Sequence, residues 1–205
     1  MLLRCMLALI SVITMVIAPY HHLPARAHEE PPFEIVFPQE VAPTTLHNDW
    51  RASRSAGRRH EGNDLMAPKM TEVYAAADGR VVKVSTSTRA GRYLIIEHGS
   101  GWETYYIHLN NDHPGSDDGA APWYLTIAPG VFEGATVAAG QLIGWVGDSG
   151  NAERAGSHTH FELHYDGIPI NPYHALVEAM DRQRSVNQML EDLVDPPVEE
   201  GNYRV

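Results

Sequence analysis

Ser157-His158-Thr159-His160-Phe161-Glu162-Leu163-His164 is the stretch on which the reading of the chain turns. Polar and apolar residues alternate along it, and Gly156 and Gly167 bracket it, the pattern of a β-strand with one face in a core. Successive side chains of a strand point to opposite faces. His158 and His160 therefore share a face, about 7 Å apart at a rise of ~3.3 Å per residue. Glu162 and His164 follow on that face, where Glu162 reads either as orienting a histidine or as a surface carboxylate. Phe161 and Leu163 point the other way, into the core. Two imidazoles so spaced suit one metal-bound centre, one as ligand and one as acid or base.

Working outward, His60-Glu61-Gly62-Asn63-Asp64 is the nearest chemical partner. An imidazole nitrogen and a carboxylate oxygen four residues apart suit zinc, and Gly62 permits a tight backbone between them. The polar stretch before it carries Arg51, Arg54, Arg58 and Arg59. Strands are expected at Glu34–Phe37, Glu72–Ala77, Gly79–Ser85, Arg92–His98 and Trp102–Leu109, with Asp78-Gly79 as a hairpin turn. On the last of these, parity puts Thr104, Tyr106 and His108 on one face, and His108 ends the strand where it can enter a cleft. Tyr106 reads as a packed tyrosine with an oxyanion donor as the alternative, and His98 as an edge histidine. His164 is expected to fall outside the cleft.

Asn110–Pro129 is a polar excursion, and a loop of this length in a compact domain is usually functional or mobile. Its acidic cluster reads first as a solvated turn, with a Ca²⁺ site at Asp112, Asp117 and Asp118 as the alternative, although without EF-hand spacing. Glycines at 134, 140, 144, 147 and 150 separate short strands. Leu176, Val177, Met180, Met189, Leu190 and Leu193 then mark one amphipathic helix, which Asp195-Pro196-Pro197 stops.

The 205 residues are enough for one domain with a sizeable core, and 43% hydrophobic with 20% charged residues is an ordinary globular balance. A net charge of -11 argues against a basic nucleic-acid surface and against docking on anionic lipid. Met1 to Arg4 is a short basic start, and the 14 residues Cys5–Ala18 are nearly all apolar. That run is too short for a spanning helix and fits a secretory signal, with Ala25-Arg26-Ala27 as the cleavage site. Cleavage after Ala27 removes two arginines and no acids, so the charge goes from -11 to -13. The lone cysteine, Cys5, leaves with the signal. The expected organisation is a signal at 1–27, a Pro-rich linker with a short strand at 28–46, a domain at 47–173, and a helix with an acidic tail at 174–205. A secreted or periplasmic monomer, with no stable membrane insertion after cleavage, is expected.

Taken together, His60-x-Gly-x-Asp64, Ala76-x-x-Gly79-x-Val81, Thr104-x-Tyr106-x-His108-Leu109 and Val137-x-x-Gly140-Gln141-x-Ile143-Gly144 leading to His158-x-His160-Phe161-Glu162 resemble the lysostaphin-like (LytM-type) zinc metallopeptidases. They stand in that family's order and span roughly residues 47–173. The resemblance implies a mainly β fold, a small antiparallel sheet of the duplicated hybrid motif type, with the C-terminal helix added. It implies one Zn²⁺ held by His60, Asp64 and His160, with His108 and His158 as the two catalytic histidines. It implies hydrolysis of peptide bonds in bacterial peptidoglycan. All five positions carry the required residue. Met70 stands where glycine is common, Thr159 replaces an apolar residue, and the Asn110–Pro129 excursion is longer than in many relatives. Two other functions stay open: a non-catalytic wall-binding or amidase-activating module on the same fold, and a zinc peptidase for other proteins.

Overall fold

The computed structural model describes residues 31–195. The expected signal segment, its cleavage site and most of the acidic tail lie outside the described residues. Chain order is β1 (Thr45–Leu46), β2 (Asn63–Met66), β3 (Glu72–Tyr74), β4 (Gly79–Ser87), β5 (Gly91–Gly99), β6 (Trp102–Leu109), β7 (Thr136–Val137), β8 (Leu142–Trp145), β9 (His158–Tyr165), β10 (Ile168–Ile170) and α1 (Tyr173–Val194). The protein is mainly β, as expected.

The larger sheet has the order β1-β2-β9-β6-β5-β4-β7, with β10 also pairing β9. Every pairing in it is antiparallel. β9 therefore lies between β2 and β6 and brings residues about a hundred positions apart side by side. β3 and β8 form a separate two-stranded sheet. Asp78-Gly79 is thus not the tip of a hairpin, because β3 pairs with β8 and the chain crosses to the larger sheet there. Glu34–Phe37 forms no strand. It runs extended beside β3, where Val36 N–H donates to Ala76 O (2.7 Å) and Tyr74 N–H to Pro38 O (2.9 Å).

Leu65, Val81, Leu94, Ile96, Tyr106, Leu109, Ile143, Phe161 and Leu163 fill the core, each almost wholly buried. β9 is buried on both faces apart from Tyr165. Its odd-numbered residues Phe161 and Leu163 carry the core, so its polar face needs cover from elsewhere. Helix α1 forms as expected, but only its first half packs, through Leu176, Ala179 and Met180. Met189, Leu190 and Leu193 are exposed. Among the described residues, no helix is long and apolar enough to cross a membrane.

Candidate metal centre and histidine cleft

The β2–β9 register sets Asp64 opposite His160 and Met66 opposite His158. Directly opposed residues of an antiparallel pair share a face. Asp64 therefore meets the β9 histidines without any adjustment of the backbone. Gly62 is needed just before β2, since a Cβ there would stand 2.1 Å from Phe161 O. The reason is close approach to β9 and not an unusual turn.

Three ligand-type atoms converge. His60 Nε2 lies 3.0 Å from Asp64 Oδ1 and 2.8 Å from His160 Nδ1, and His160 Nδ1 lies 2.9 Å from the same Asp64 oxygen. The group could hold a metal ion. The outward nitrogens show why. His60 Nδ1–H donates to Asp49, to its backbone O at 3.0 Å and to Oδ2 at 3.1 Å. His160 Nε2–H donates to Glu162 Oε1 at 2.8 Å. An imidazole whose far nitrogen is held by an oxygen acceptor presents a lone pair at the near one, the arrangement found for metal-ligating histidines. Two imidazoles and one carboxylate fit zinc, and the donor set leaves a fourth position for water. Asp64 has its second oxygen, Oδ2, fixed by Arg54 Nη2 at 2.9 Å.

Electrostatics follow from this crowding. Burial opposes a charge on His60, but the Asp49 and Asp64 carboxylates outweigh it and hold the pKa at about 9. Burial likewise opposes a charge on His160, and Asp64 and Glu162 raise it. Asp64 is held far below the usual carboxylate range by the surrounding histidines, despite burial. Glu162 is held at about 2 by His160 and His164, also against burial.

His158 and His108 stand beside the triad. His158 Nε2 is 3.7 Å from Asp64 Oδ1, and its Nδ1–H donates to Gly156 O at 2.8 Å. His108 Nδ1–H donates to Ser149 O at 2.8 Å, and its ring centroid lies 4.9 Å from that of His158. In both, a backbone carbonyl fixes the tautomer that leaves Nε2 free to accept a proton. Burial and the neighbouring His158 push the His108 pKa down to about 4.

His108 reaches this place by breaking the strand's parity. Tyr105 pairs with Glu162 and Ile107 with His160, so the odd residues of β6 share the histidine face. Tyr106 points into the core, and simple alternation would send His108 after it. Between Arg92↔Leu109 and Leu94↔Tyr106, β6 carries one residue more than β5, a bulge. His108 sits in it with φ at 66°. The left-handed backbone costs a side chain ~1–2 kcal/mol and turns the imidazole to the opposite face. The expected shared face of Thr104, Tyr106 and His108 is therefore corrected for His108.

Tyr106 is fully buried and accepts from Ala76 N–H at 2.7 Å and from Thr104 Oγ1–H at 3.1 Å, which removes it as an oxyanion donor. His98 is held by Asp78 O and Thr104 Oγ1, away from the cleft. His164 does not line the cleft. It is nonetheless buried, stacked on Tyr105 and bonded through Nε2 to Glu162 Oε2 at 2.7 Å, so it touches the site through Glu162. A calcium site at Asp112, Asp117 and Asp118 is not supported, because the acidic group that forms is Asp112, Asp117 and Asp148. Lys69 Nζ fills the acidic cluster, 2.7 Å from Asp112 Oδ2 and 2.9 Å from Asp148 Oδ2, and pairs with Asp117 as well. Asp118 pairs instead with His113. Asp49, Arg54 and Ser149 went unrecognised in the sequence, because they lie in polar loops whose contacts no spacing announces.

The five residues open on a cleft of about 340 Å³, which His60, Asp64, His108, His158 and His160 line with Arg54, Arg58, Arg59 and Arg89 among others. Residues 58–172 match the family model Peptidase family M23. The chain belongs to peptidase family M23. Over 143 residues it is 29% identical to the peptidoglycan DD-endopeptidase ShyA of Vibrio cholerae, which covers 64% of this chain and 29% of that protein. Over 115 residues it is 33% identical to the DD-carboxypeptidase/endopeptidase Mpg of Neisseria meningitidis, covering 56% of this chain and 22% of that one. The chain thus spans less than a third of the length of either M23 relative. Among solved structures, a zinc containing peptidase from Vibrio cholerae matches with a TM-score of 0.55 at 28% identity, over 70% of this chain and 40% of that one. The catalytic domain of lysostaphin from Staphylococcus simulans matches in fold, with a TM-score of 0.51 at 22% identity, over 66% of this chain and 94% of that one.

Proposed function

We propose that the chain is an exported zinc-dependent endopeptidase that hydrolyses peptide bonds in peptidoglycan stem peptides or cross-bridges. The observation that carries this reading is the joint geometry of the five residues. Three ligand groups converge, with the outer nitrogens of both histidines and the outer oxygen of Asp64 already satisfied, and two further imidazoles stand beside them with Nδ1 held by backbone carbonyls. His60, Asp64 and His160 would hold the zinc. Bound there, zinc supplies Lewis acidity that polarises a scissile carbonyl and lowers the pKa of coordinated water.

The chain's own groups do the rest. His108 is neutral at pH 7 in its buried setting and can take up a proton at Nε2. His158 offers a second Nε2 near Asp64, to carry a proton to the leaving amine or to donate to the developing oxyanion. The Ser149 carbonyl that holds His108 Nδ1–H favours the His108 imidazolium when a proton arrives. M23 relatives named as peptidoglycan endopeptidases support the substrate class. A purely wall-binding module would have no use for two poised imidazoles beside a complete ligand set.

The test is mass spectrometry of fragments released from purified peptidoglycan by protein lacking residues 1–27. Chelator-treated protein is run beside it. Chelator-sensitive release of cut stem or bridge peptides is expected and names the bond. No release by fully zinc-loaded protein would overturn the proposed activity.

A further inference from the structure

The cleft inverts the charge of the molecule. In a chain of net charge -11, four arginines line it: Arg54, Arg58, Arg59 and Arg89. Three acids line it too, Glu61, Asp64 and Glu162, of which the last two are committed and Glu61 offsets one of the cleft's positive charges. Asp64 is bound by the histidines and Arg54, and Glu162 by His160 and His164. Arg54 is likewise committed, to Asp64 and Asp49.

The other three arginines have no acid partner among the described residues. Arg58 donates to Ser55 Oγ at 3.2 Å and Arg59 to Ser53 Oγ at 3.0 Å, both neutral acceptors. They are consecutive on the returning arm of a tight turn, closed by Arg54 N–H to Arg58 O and by the Ser53–Arg59 bridge. Arg89 comes from a different wall, the connection between β4 and β5. Unpaired guanidinium groups on two sides of a cleft focus a positive potential there and suit bidentate capture of carboxylates.

We propose that Arg58, Arg59 and Arg89 form a carboxylate-recognition rim that selects substrates bearing a free carboxylate near the scissile bond. This rests on the endopeptidase reading and deepens it. Peptidoglycan stem peptides carry carboxylates both along the stem and at chain ends. The rim distinguishes peptides with those groups free from peptides with them amidated, although the bond cut is the same.

Three stem-peptide dimers test this: one with all carboxylates free, one with only the chain-terminal carboxylates amidated, and one fully amidated. Binding is measured by calorimetry on zinc-loaded His108→Ala protein, and turnover on the unaltered enzyme. The free dimer is expected to bind about tenfold tighter than the fully amidated one, the scale of one charge-assisted contact. That preference should shrink between 50 and 500 mM salt and collapse in Arg89→Gln, which leaves the His60 loop intact, and in the Arg58→Gln/Arg59→Gln pair. The singly amidated dimer tells which carboxylate is held. Equal binding of free and amidated dimers, or a preference unchanged in both variants, overturns the rim. Equal cleavage of both dimers likewise overturns the rim while upholding the peptidase. Selective binding without cleavage upholds the rim and overturns the peptidase.

Discussion

Glu162 is the side chain whose replacement probes the metal centre most cleanly. Its carboxylate accepts from His160 Nε2 at 2.8 Å and from His164 Nε2 at 2.7 Å while almost buried. It thereby keeps the His160 proton on Nε2 and the lone pair on Nδ1, the atom facing Asp64 and His60. In Glu162→Gln the amide oxygen can still accept from His160. The amide N–H₂ then faces His164, which can accept from it at Nε2 only by moving its own proton to Nδ1, a buried atom with no partner. At His160 only the negative charge is lost, and metal affinity should fall about tenfold. In Glu162→Leu the His160 N–H has no acceptor, and the fall should approach about 100-fold, the upper end for groups that orient a metal ligand. Competition against a chromophoric zinc chelator at pH 7.5, with circular dichroism to verify the fold, measures both. Equal affinity in all three proteins would refute the claim that Glu162 sets the ligating tautomer.

Other consequences are as direct. His108→Ala should keep stoichiometric zinc and lose turnover by about 10²–10⁴, whereas His160→Ala should lose metal and turnover together; metal analysis beside a cleavage assay separates them. Metal-free protein holds a proton on His60 up to about pH 9. Zinc binding must expel that proton, and any held by His160, whose pKa is raised as well, so affinity should rise by at least about tenfold per pH unit below about pH 9, and titrations in buffers of different ionisation heat should reveal proton release. Lys69→Met leaves the buried Asp112 and Asp148 carboxylates facing each other without a cation. It should destabilise the fold by about 3 kcal/mol at pH 7. With no cation these carboxylates have pKa values above their unfolded ones, so the deficit should shrink as pH falls and they protonate; a melting series from pH 7 to 4 checks the sign. Gly62→Ala drives a Cβ against Phe161 O and should cost about 1–3 kcal/mol by chemical denaturation.

The sequence alone determined what is local or periodic. The alternation in 157–164 was enough to put His158 and His160 on one face and Phe161 and Leu163 on the other, because a strand's period of two survives any tertiary arrangement. The His60-to-Asp64 spacing was visible because it is local in the chain, and the C-terminal helix because its apolar residues recur at helical spacing. Met70 also becomes intelligible: its φ of 70° is one that glycine adopts without strain, which accounts for glycine being common there.

Tertiary structure decided whatever depends on partners remote in sequence. The side of β6 that His108 occupies is set by a bulge, and a bulge is a relation between two strands, invisible in either alone. The Asn110–Pro129 carboxylates looked like a cation site until Lys69, some forty residues earlier, supplied the cation itself. Asp49, Arg54 and Ser149 orient the site through single contacts that leave no periodic trace. Hydrophobic alternation fixes faces because many residues repeat one preference. A lone hydrogen bond between distant loops repeats nothing, and only the folded chain brings its two ends together.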